Sequence, residues 1–478
     1  MTTTNGNRKI LDLKRWEFCT PAPVATAAGS LIASSRHHNQ RQLYWQNGTT
    51  LYLYNPYEDG WVQLANPSFG GTFGAGSVAT CAAWSTGATT GALSLTATAG
   101  TTTTITTNQT LARDLKGYCV QFLGGTNAGK VKEIASNTIG TNAVITFTSA
   151  EGVAFDNTST YRLLTPKWFL LIAGTAAATT FKSYDFATNA YQSLAQNPAN
   201  GSNDGKLVAT PSFMDEDFVV MASGTATGGT GTTLQNNTKN WTASQWVNAQ
   251  VIIASGTGAG QIRTITANDA TSITVATWGT NPSTDSVYYI TGNDDYIYWL
   301  GNNAVTLYRY VISTNTWSTL TPSPTARAAA LGAGGSAHWI YGSTDSRWTN
   351  ESSIINGRRI YSFRGAGQVQ LDYYDIALNT WTNDITYSPK TETFATGTKY
   401  NYDGGNYIYI TKEATGRWFR YDLPNSAMDG LTSLLYTQGA AAVGDTCFDI
   451  DYEDGATKIK YIYFLGNTMT QMFRMMVI

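Results

Sequence analysis

The sequence predicts an all-β protein, assembled from a repeated antiparallel unit and sealed by its own two ends. Three observations predict it. The composition favours pleated sheet, one aromatic-rich unit returns along the chain, and the last unit lacks a strand that the N-terminus can supply.

Composition sets the bounds. The 478 residues suffice for a substantial core. Charged residues make up 13%, well below the usual quarter. Gly (46), Tyr (28) and Trp (14) are plentiful and Thr is abundant. Thr and aromatics suit half-buried strands, and Gly suits tight turns. A formal net charge of −2 gives no basic field, so neither direct nucleic-acid binding nor membrane insertion is expected. The longest apolar stretch, Trp168–Gly174, has strand length and falls short of the ~18 residues that cross a bilayer. Cys19, Cys81, Cys119 and Cys447 stand far apart, which argues against a zinc cluster and a disulfide framework. The N-terminal stretch shows no apolar signal-peptide core, so synthesis in a cytoplasm is expected.

The repeat appears as Gln42–Leu64, Lys167–Leu194, Tyr296–Leu320, Arg359–Asp384 and, more loosely, Tyr407–Leu434. Each copy runs from an aromatic-rich strand through a turn into a second strand. That strand ends in an acidic or polar turn, and an aromatic follows about five residues on. The C-terminal "YIYFLGNTMTQMFRMMVI" begins a sixth copy without its final strand. The N-terminal "KILDLKRWEFC" carries that strand, with Trp16 in the aromatic's place. Over about two-thirds of the chain these copies resemble the kelch repeat of β-propellers, "yiYvfGG…vyvyDpetntW", with its paired glycines reduced to "GN" or "AG". The resemblance implies a six-bladed kelch-like β-propeller in which Lys9–Cys19 lies beside Arg474–Ile478. Closure of that kind removes the unpaired edges of an open array.

Two Thr/Gly-rich segments, 85–164 and 223–292, break the rhythm and match each other. The expected organisation is therefore propeller over 1–84, a small inserted β-barrel or sandwich over 85–164, propeller over 165–222, a second insert over 223–292, and propeller over 293–478. Each insert is expected between the first two strands of a blade. One splits Ser77–Trp84 from Pro166–Gly174, and the other splits Asp217–Gly224 from Asp295–Gly301. In the first insert Gly124, Gly129 and Lys130 fit the phosphate-loop spacing G-x-x-x-x-G-K. In the second the same places hold Ser255, Gly260 and Gln261. Val131 stands where Ser or Thr would hold magnesium, and both copies continue as strands, not helices. A hairpin turn is expected, and no nucleotide cofactor.

Ser255–Ile265, with Trp246, Asn268, Thr274–Val275, Trp278, Pro282, Ser286 and Tyr289, resembles a small β module of tailed-bacteriophage virion proteins. The likeness covers both inserts, about a third of the chain.

Candidate chemistry is sparse. His37 and His38 are adjacent, so on a strand they point to opposite faces. His338 reads as a blade residue. Asp449–Gly455 lacks the glycine and glutamate of a calcium loop, with Asp454 and Lys460 in their places. Asp215–Asp217 and Asp294–Asp295 read as solvated turns. Gly342–Asn350 lacks the glycine spacing of a sialidase box, and neither G-x-S-x-G nor H-E-x-x-H occurs. No catalytic residue, metal ligand or cofactor is expected.

Low charge with many uncharged hydrogen-bonding groups suits permanent assembly. The phage resemblance implies a non-enzymatic structural protein of a virion, assembled in the bacterial cytoplasm and placed in or near the tail as a nozzle, hub or fibre-attachment element. Its expected partners are other copies of itself and neighbouring tail proteins, and a nozzle would place six subunits around the channel. An alternative is receptor or glycan binding, with Trp241, Trp246 and Trp278 stacking on sugars; the competing use of these rings is to fill the insert's core. A second alternative is a polysaccharide-degrading tail enzyme with an Asp/Glu pair on the propeller face.

Overall fold

Every regular element is a strand, and there is no helix among the described residues. The computed structural model describes residues 16–27, 31–34, 42–64, 77–82, 95–171, 180–199, 205–209, 220–301, 304–340, 359–403, 405–412, 417–431, 445–453, 457–465 and 470–477. Six four-stranded antiparallel sheets form the blades of a β-propeller. Strands a to d run outward from the axis. Blade 1 comprises Leu31–Ser34, Leu43–Asn47, Thr50–Asn55 and Gly60–Gln63; blade 2 comprises Val78–Ala82, Lys167–Leu171, Phe181–Asp185 and Ala190–Ser193. Blade 3 comprises Lys206–Ala209, Tyr296–Leu300, Leu307–Val311 and Thr316–Leu320; blade 4 comprises His338–Ile340, Arg359–Phe363, Leu371–Asp375 and Thr380–Thr382. Blade 5 comprises Lys399–Tyr402, Tyr407–Thr411, Trp418–Asp422 and Ala427–Leu431. Blade 6 takes a to c from Asp445–Glu453, Thr457–Leu465 and Met472–Val477, and its d strand is Trp16–Cys19. Around the axis the a strand of blade 1 lies against those of blades 6 and 2, blade 2 against 3, 3 against 4, and 5 against 6.

The ring is sealed by its ends. Trp16 pairs with Met475 and Cys19 with Met472 in antiparallel register. Of the expected closing segments, residues 9–15 and Ile478 lie outside the described residues. Cys19, Tyr461, Tyr463 and Met472 of blade 6 share one apolar core with Leu43, Trp45 and Tyr54 of blade 1. Burial pushes the Cys19 thiol up to about 11, so it behaves as a small core residue.

One register position explains the repeat. Each c strand in blades 1 to 5 carries a tyrosine, and a residue five places on adopts a positive φ: Tyr54 and Asp59 (46°), Tyr184 and Asn189 (50°), Tyr310 and Asn315 (51°), Tyr374 and Asn379 (50°), Tyr421 and Ser426 (50°). Asn and Asp tolerate the left-handed region better than other side-chain-bearing residues. The phenol donates to that side chain at 2.7 Å for Tyr184, 2.7 Å for Tyr310 and 2.8 Å for Tyr374, and Tyr54 does so to Asp59. The d-strand residue paired opposite the tyrosine is Trp61, Tyr191, Trp317, Trp381 or Met428. Trp16 stands at the same register in blade 6, opposite Met475.

The clasp also grips the preceding blade. Thr20 N donates to Asp59 at 2.8 Å and Trp61 Nε1 to Thr20 O at 3.0 Å, joining blade 6 to blade 1. Ala195 N donates to Asn315 at 2.8 Å and Trp317 Nε1 to Ala195 O at 3.1 Å, joining 2 to 3. Asn379 Nδ2 donates to Thr321 O at 3.1 Å, joining 3 to 4.

Two seven-stranded sheets complete the chain. The first spans strands from Leu95–Thr96 to Thr160–Leu164, the second from Ala222–Thr225 to Val287–Thr291. Both have the strand order 1-7-4-5-6-3-2. Their bulges coincide: Phe122/Gly124 and Ile134/Ser136 in the first, Ile253/Ser255 and Ile265/Ala267 in the second. The internal match read from sequence is thus a match of topology and register. One strand assignment changes. Asp217–Gly224 does not pair as a blade strand among the described residues. Lys206–Ala209 holds the a position of blade 3, while Ala222–Thr225 pairs with Val287–Thr291. Both segments are short and alternating, so periodicity alone could not choose between them.

The clasp yields a graded expectation. Asn315→Ala loses the acceptor for Tyr310 and Ala195 and strains the positive φ, so urea unfolding should show a loss of about 2–4 kcal/mol. Asn315→Gly removes the strain and should recover about 1 kcal/mol of it. Equal losses for the two variants would mean that the backbone conformation carries no weight here.

Candidate functional site: the paired modules and their junction

The phosphate-loop spacing of the first module is a hairpin. Cys119–Gly124 and Val131–Asn137 pair directly, and Gly125 and Gly129 turn the chain at φ 82° and 81°. Lys130 Nζ, largely exposed, lies 3.7 Å from Glu151 of the same module. Lys132, buried beside it, donates 2.7 Å bonds to Ser149 Oγ and Glu151. The hydrogen bond from Lys132 is the main cause holding Glu151 below the usual carboxylate range. Lys132 thus joins Ser149 and Glu151 as a hydrogen-bond donor to both.

The glycines have a second use that periodicity did not reveal. A Cβ on Gly129 would lie 2.7 Å from Ala254 O and 3.0 Å from the Ala259 Cβ of the other module. A Cβ on Gly260, at φ 85°, would lie 2.7 Å from Leu123 O and 2.9 Å from Gly129 N. Equivalent turns of the two modules therefore meet back to back, each leaving no room for a side chain on the other. A buried ion pair reinforces the contact. Arg162 of the first module donates to Asp294 at 2.9 Å and to Gln121 at 2.7 Å. Asp294 lies between the second module and strand b of blade 3.

Asp294 and Asp295, expected in a solvated turn, are buried. Arg162 accounts for the first. The second replaces a missing cap. Blades 1, 2, 4 and 5 place Asn55, Asp185, Asp375 and Asp422 after the clasp tyrosine, and each accepts a hairpin N–H. Blade 3 has Val311 there. Asp295 reaches over instead, accepting Ser313 N at 2.8 Å and Ser313 Oγ at 2.6 Å. Burial pushes its carboxyl up to about 6, against the lowering effect of the serine bonds.

Both modules are also braced on the propeller. Arg113 Nη2 donates to Tyr184 OH at 3.1 Å and lies over Phe186 of blade 2. Tyr118 OH donates to Gln42 at 3.0 Å. In the second module Asn248 Nδ2 donates to Ile376 O of blade 4 at 3.1 Å and accepts from Arg309 of blade 3 at 3.3 Å.

The three tryptophans part company. Trp246 and Trp278, 1% and 3% exposed, are core residues of the second module. Their rings offer no open face to a sugar, which corrects their candidacy for stacking. Trp241 is half-buried and packs edge-on against Trp246 and Tyr288. His338 is half-buried in strand a of blade 4, 6.1 Å from the Tyr400 ring. Asp449–Glu453 lies in strand a of blade 6, paired with strand b. His37, His38, Asp215–Asp217 and Gly342–Asn350 lie outside the described residues. Among the described residues no three His, Cys, Asp or Glu side chains converge as a metal site.

No family model matches the chain, and no curated protein matches it in sequence. Among solved structures, a chain of "Crystal Structure of Mitotic Checkpoint Complex" aligns over 97% of this chain and 93% of its own length, at 9% identity and a TM-score of 0.36. A likeness of that size carries no functional argument.

Asp295 gives a pH signature with a definite sign. Its folded-state carboxyl binds a proton more readily than the unfolded one between 3.8 and about 6, so its contribution favours folding at low pH and fades as pH rises through that window. Asn at this position keeps an acceptor and a donor for Ser313 and never ionises. Asp295→Asn should therefore gain stability relative to the parent from pH 4 to pH 7, by at most about 3 kcal/mol. A stability difference that stays flat across that range would show that Asp295 ionises normally.

Proposed function

We infer that the chain is a non-enzymatic structural component of a tailed-bacteriophage virion, serving as a rigid tail element of the nozzle, hub or fibre-attachment kind. The observation that carries this reading is the module pair. Its sequence, above all Ser255–Ile265, resembles small virion modules. Its geometry is that of a braced pair: turn against turn, one buried ion pair from the first module to the link between the second module and blade 3, and polar anchors on blades 2, 3 and 4. Such bracing costs conformational entropy and suits a part that transmits position more than one that must open around a substrate. The ring itself offers a wall whose blades are chemically joined at their outer edges. On this reading the chain works beside other copies of itself and neighbouring tail proteins, and the assembled particle is its location.

Purified particles should contain this chain by mass spectrometry, and averaged electron micrographs should place six copies around the tail axis. Its absence from particles would end the reading, while threefold symmetry would move it to a fibre or spike.

Glycan binding is the second reading, favoured by the accessible part of Trp241. Trp241→Ala should abolish any signal of the full chain on a glycan array while the chain stays folded, with a loss of about 1–2 kcal/mol from the ring contacts. An unchanged signal would clear Trp241 of that role.

A further inference from the structure

The contact between the two modules is reciprocal. Leu123 and Ala254 are the bulged residues of corresponding strands, each skipped in the pairing with its module's last strand. The Ala254 carbonyl oxygen lies 2.7 Å from where a Cβ on Gly129 would stand. The Leu123 carbonyl oxygen lies 2.7 Å from where a Cβ on Gly260 would stand. Gly129 and Gly260 hold the same place in the turns Asn127–Lys130 and Gly258–Gln261. What the first module offers is therefore what it receives. Contact of one residue with a second, matched by the second's equivalent with the first's, marks a twofold axis between like units.

The atoms that meet do not distinguish the modules. Nearest to the two glycines are backbone atoms of Ala254, Leu123 and Gly129, and the Ala259 Cβ at 3.0 Å. Ala259 is matched by Ala128 in the first module. None of these nearest atoms belongs to a side chain that differs between the modules. A second copy of the second module would thus present the same carbonyl, glycine and methyl group that the first module presents.

The second module is also a unit in itself. Among the described residues its core, which includes Leu234, Trp246, Val251, Ile265, Ile273 and Tyr288, takes in no propeller residue. Its first and last strands, Ala222–Thr225 and Val287–Thr291, pair directly, so the chain enters and leaves at one place. The first module instead shares its core with Tyr44, Trp168 and Tyr184 of blades 1 and 2.

We propose that the Ala–Gly turn face is a self-association surface whose partner is a module of the same kind, so that the second module, freed from the ring, pairs with another copy of itself about a twofold axis. In the intact chain the first module fills this face. The Arg162–Asp294 ion pair then fastens the contact on one side only, because Tyr289 holds the place of Arg162 in the second module. The free self-pair lacks that bond and is the weaker of the two. A tether supplies an effective concentration in the millimolar range, so a weak self-affinity is enough to set the pairing within the chain. The inference stands apart from the virion reading.

The test uses residues 220–292 as a free fragment. Sedimentation between about 0.05 and about 2 mM, up to the range a tether supplies, should show a monomer–dimer equilibrium. Amide NMR shifts should move with concentration at Ala254–Gln261. Ala259→Glu sets a charge at the contact without touching a left-handed residue, so it should stay folded and monomeric. Asn237→Glu lies at the opposite end of the sheet, where Gln235 pairs with Ser272, and should dimerise like the parent. The proposal is overturned if the folded fragment stays monomeric at the highest concentration, or if Ala259→Glu pairs as well as the parent. An unfolded fragment overturns it too, because the module's core would then depend on the ring.

Discussion

The clasp between a tyrosine and a left-handed residue five places on is the constraint from which the rest of the ring follows. It fixes the c–d hairpin, because the acceptor side chain reaches the phenol only when its own backbone has turned back. It also fixes the neighbour, because the same Asp59 or Asn315 oxygen accepts the backbone of the blade before it. One polar group thus serves local and non-local order together. That coupling makes the sixth blade workable although its strands come from opposite ends of the chain. Thr20, just after the closing strand, is gripped by blade 1 as Ala195 is gripped by blade 3. The closing seam is an ordinary seam, with an ordinary aromatic core of Trp45, Tyr54 and Tyr463.

Much of this was legible in the sequence because the clasp has a fixed spacing. Tyr310, Asn315 and Trp317, or Tyr374, Asn379 and Trp381, stand in a pattern that survives the loss of paired glycines. The split of the sixth copy is visible for the same reason, with Trp16 standing in register opposite Met475. The modules announce themselves by similarity to each other, and their common strand order answers to that likeness. What spacing could not show is anything that depends on two distant turns meeting. Gly129 and Gly260 each had an adequate local explanation as hairpin residues. Their close approach needs three dimensions.

The acidic pair at Asp294–Asp295 shows the same limit from another side. Two adjacent carboxylates beside a strand read as solvent-facing, since charged residues are rarely buried unless paired. The partners exist, but Arg162 is far away in sequence and Ser313 is needed only because Val311 stands where other blades carry a cap. The absence of a cap in one copy was visible, and it was the signal that another acid must supply it. For the tryptophans the sequence left both uses open. A partly apolar ring can fill a core or face a ligand, and burial separates Trp246 and Trp278 from Trp241.

Buried polar groups stand in several blades, Gln46 in blade 1, Lys167 and Asp185 in blade 2 and Asp422 in blade 5 among them, and a group of them, Arg162–Asp294, Asp295–Ser313 and Arg309–Asn248, lies where blade 3 meets the modules. Replacing a buried ionic group by an apolar one of similar volume is often neutral or stabilising, so stability alone does not account for charges in a chain so poor in them. Geometry does. An apolar contact tolerates sliding and rotation, whereas a bidentate Arg364–Asp372 pair or a carboxylate shared by Ser313 N and Oγ admits one arrangement. Where the modules meet the ring, on blade 2 through Arg113 and Tyr184 and on blades 3 and 4 through Arg309, Asn248 and Ile376 O, the chain uses directional bonds in place of interchangeable aromatic packing.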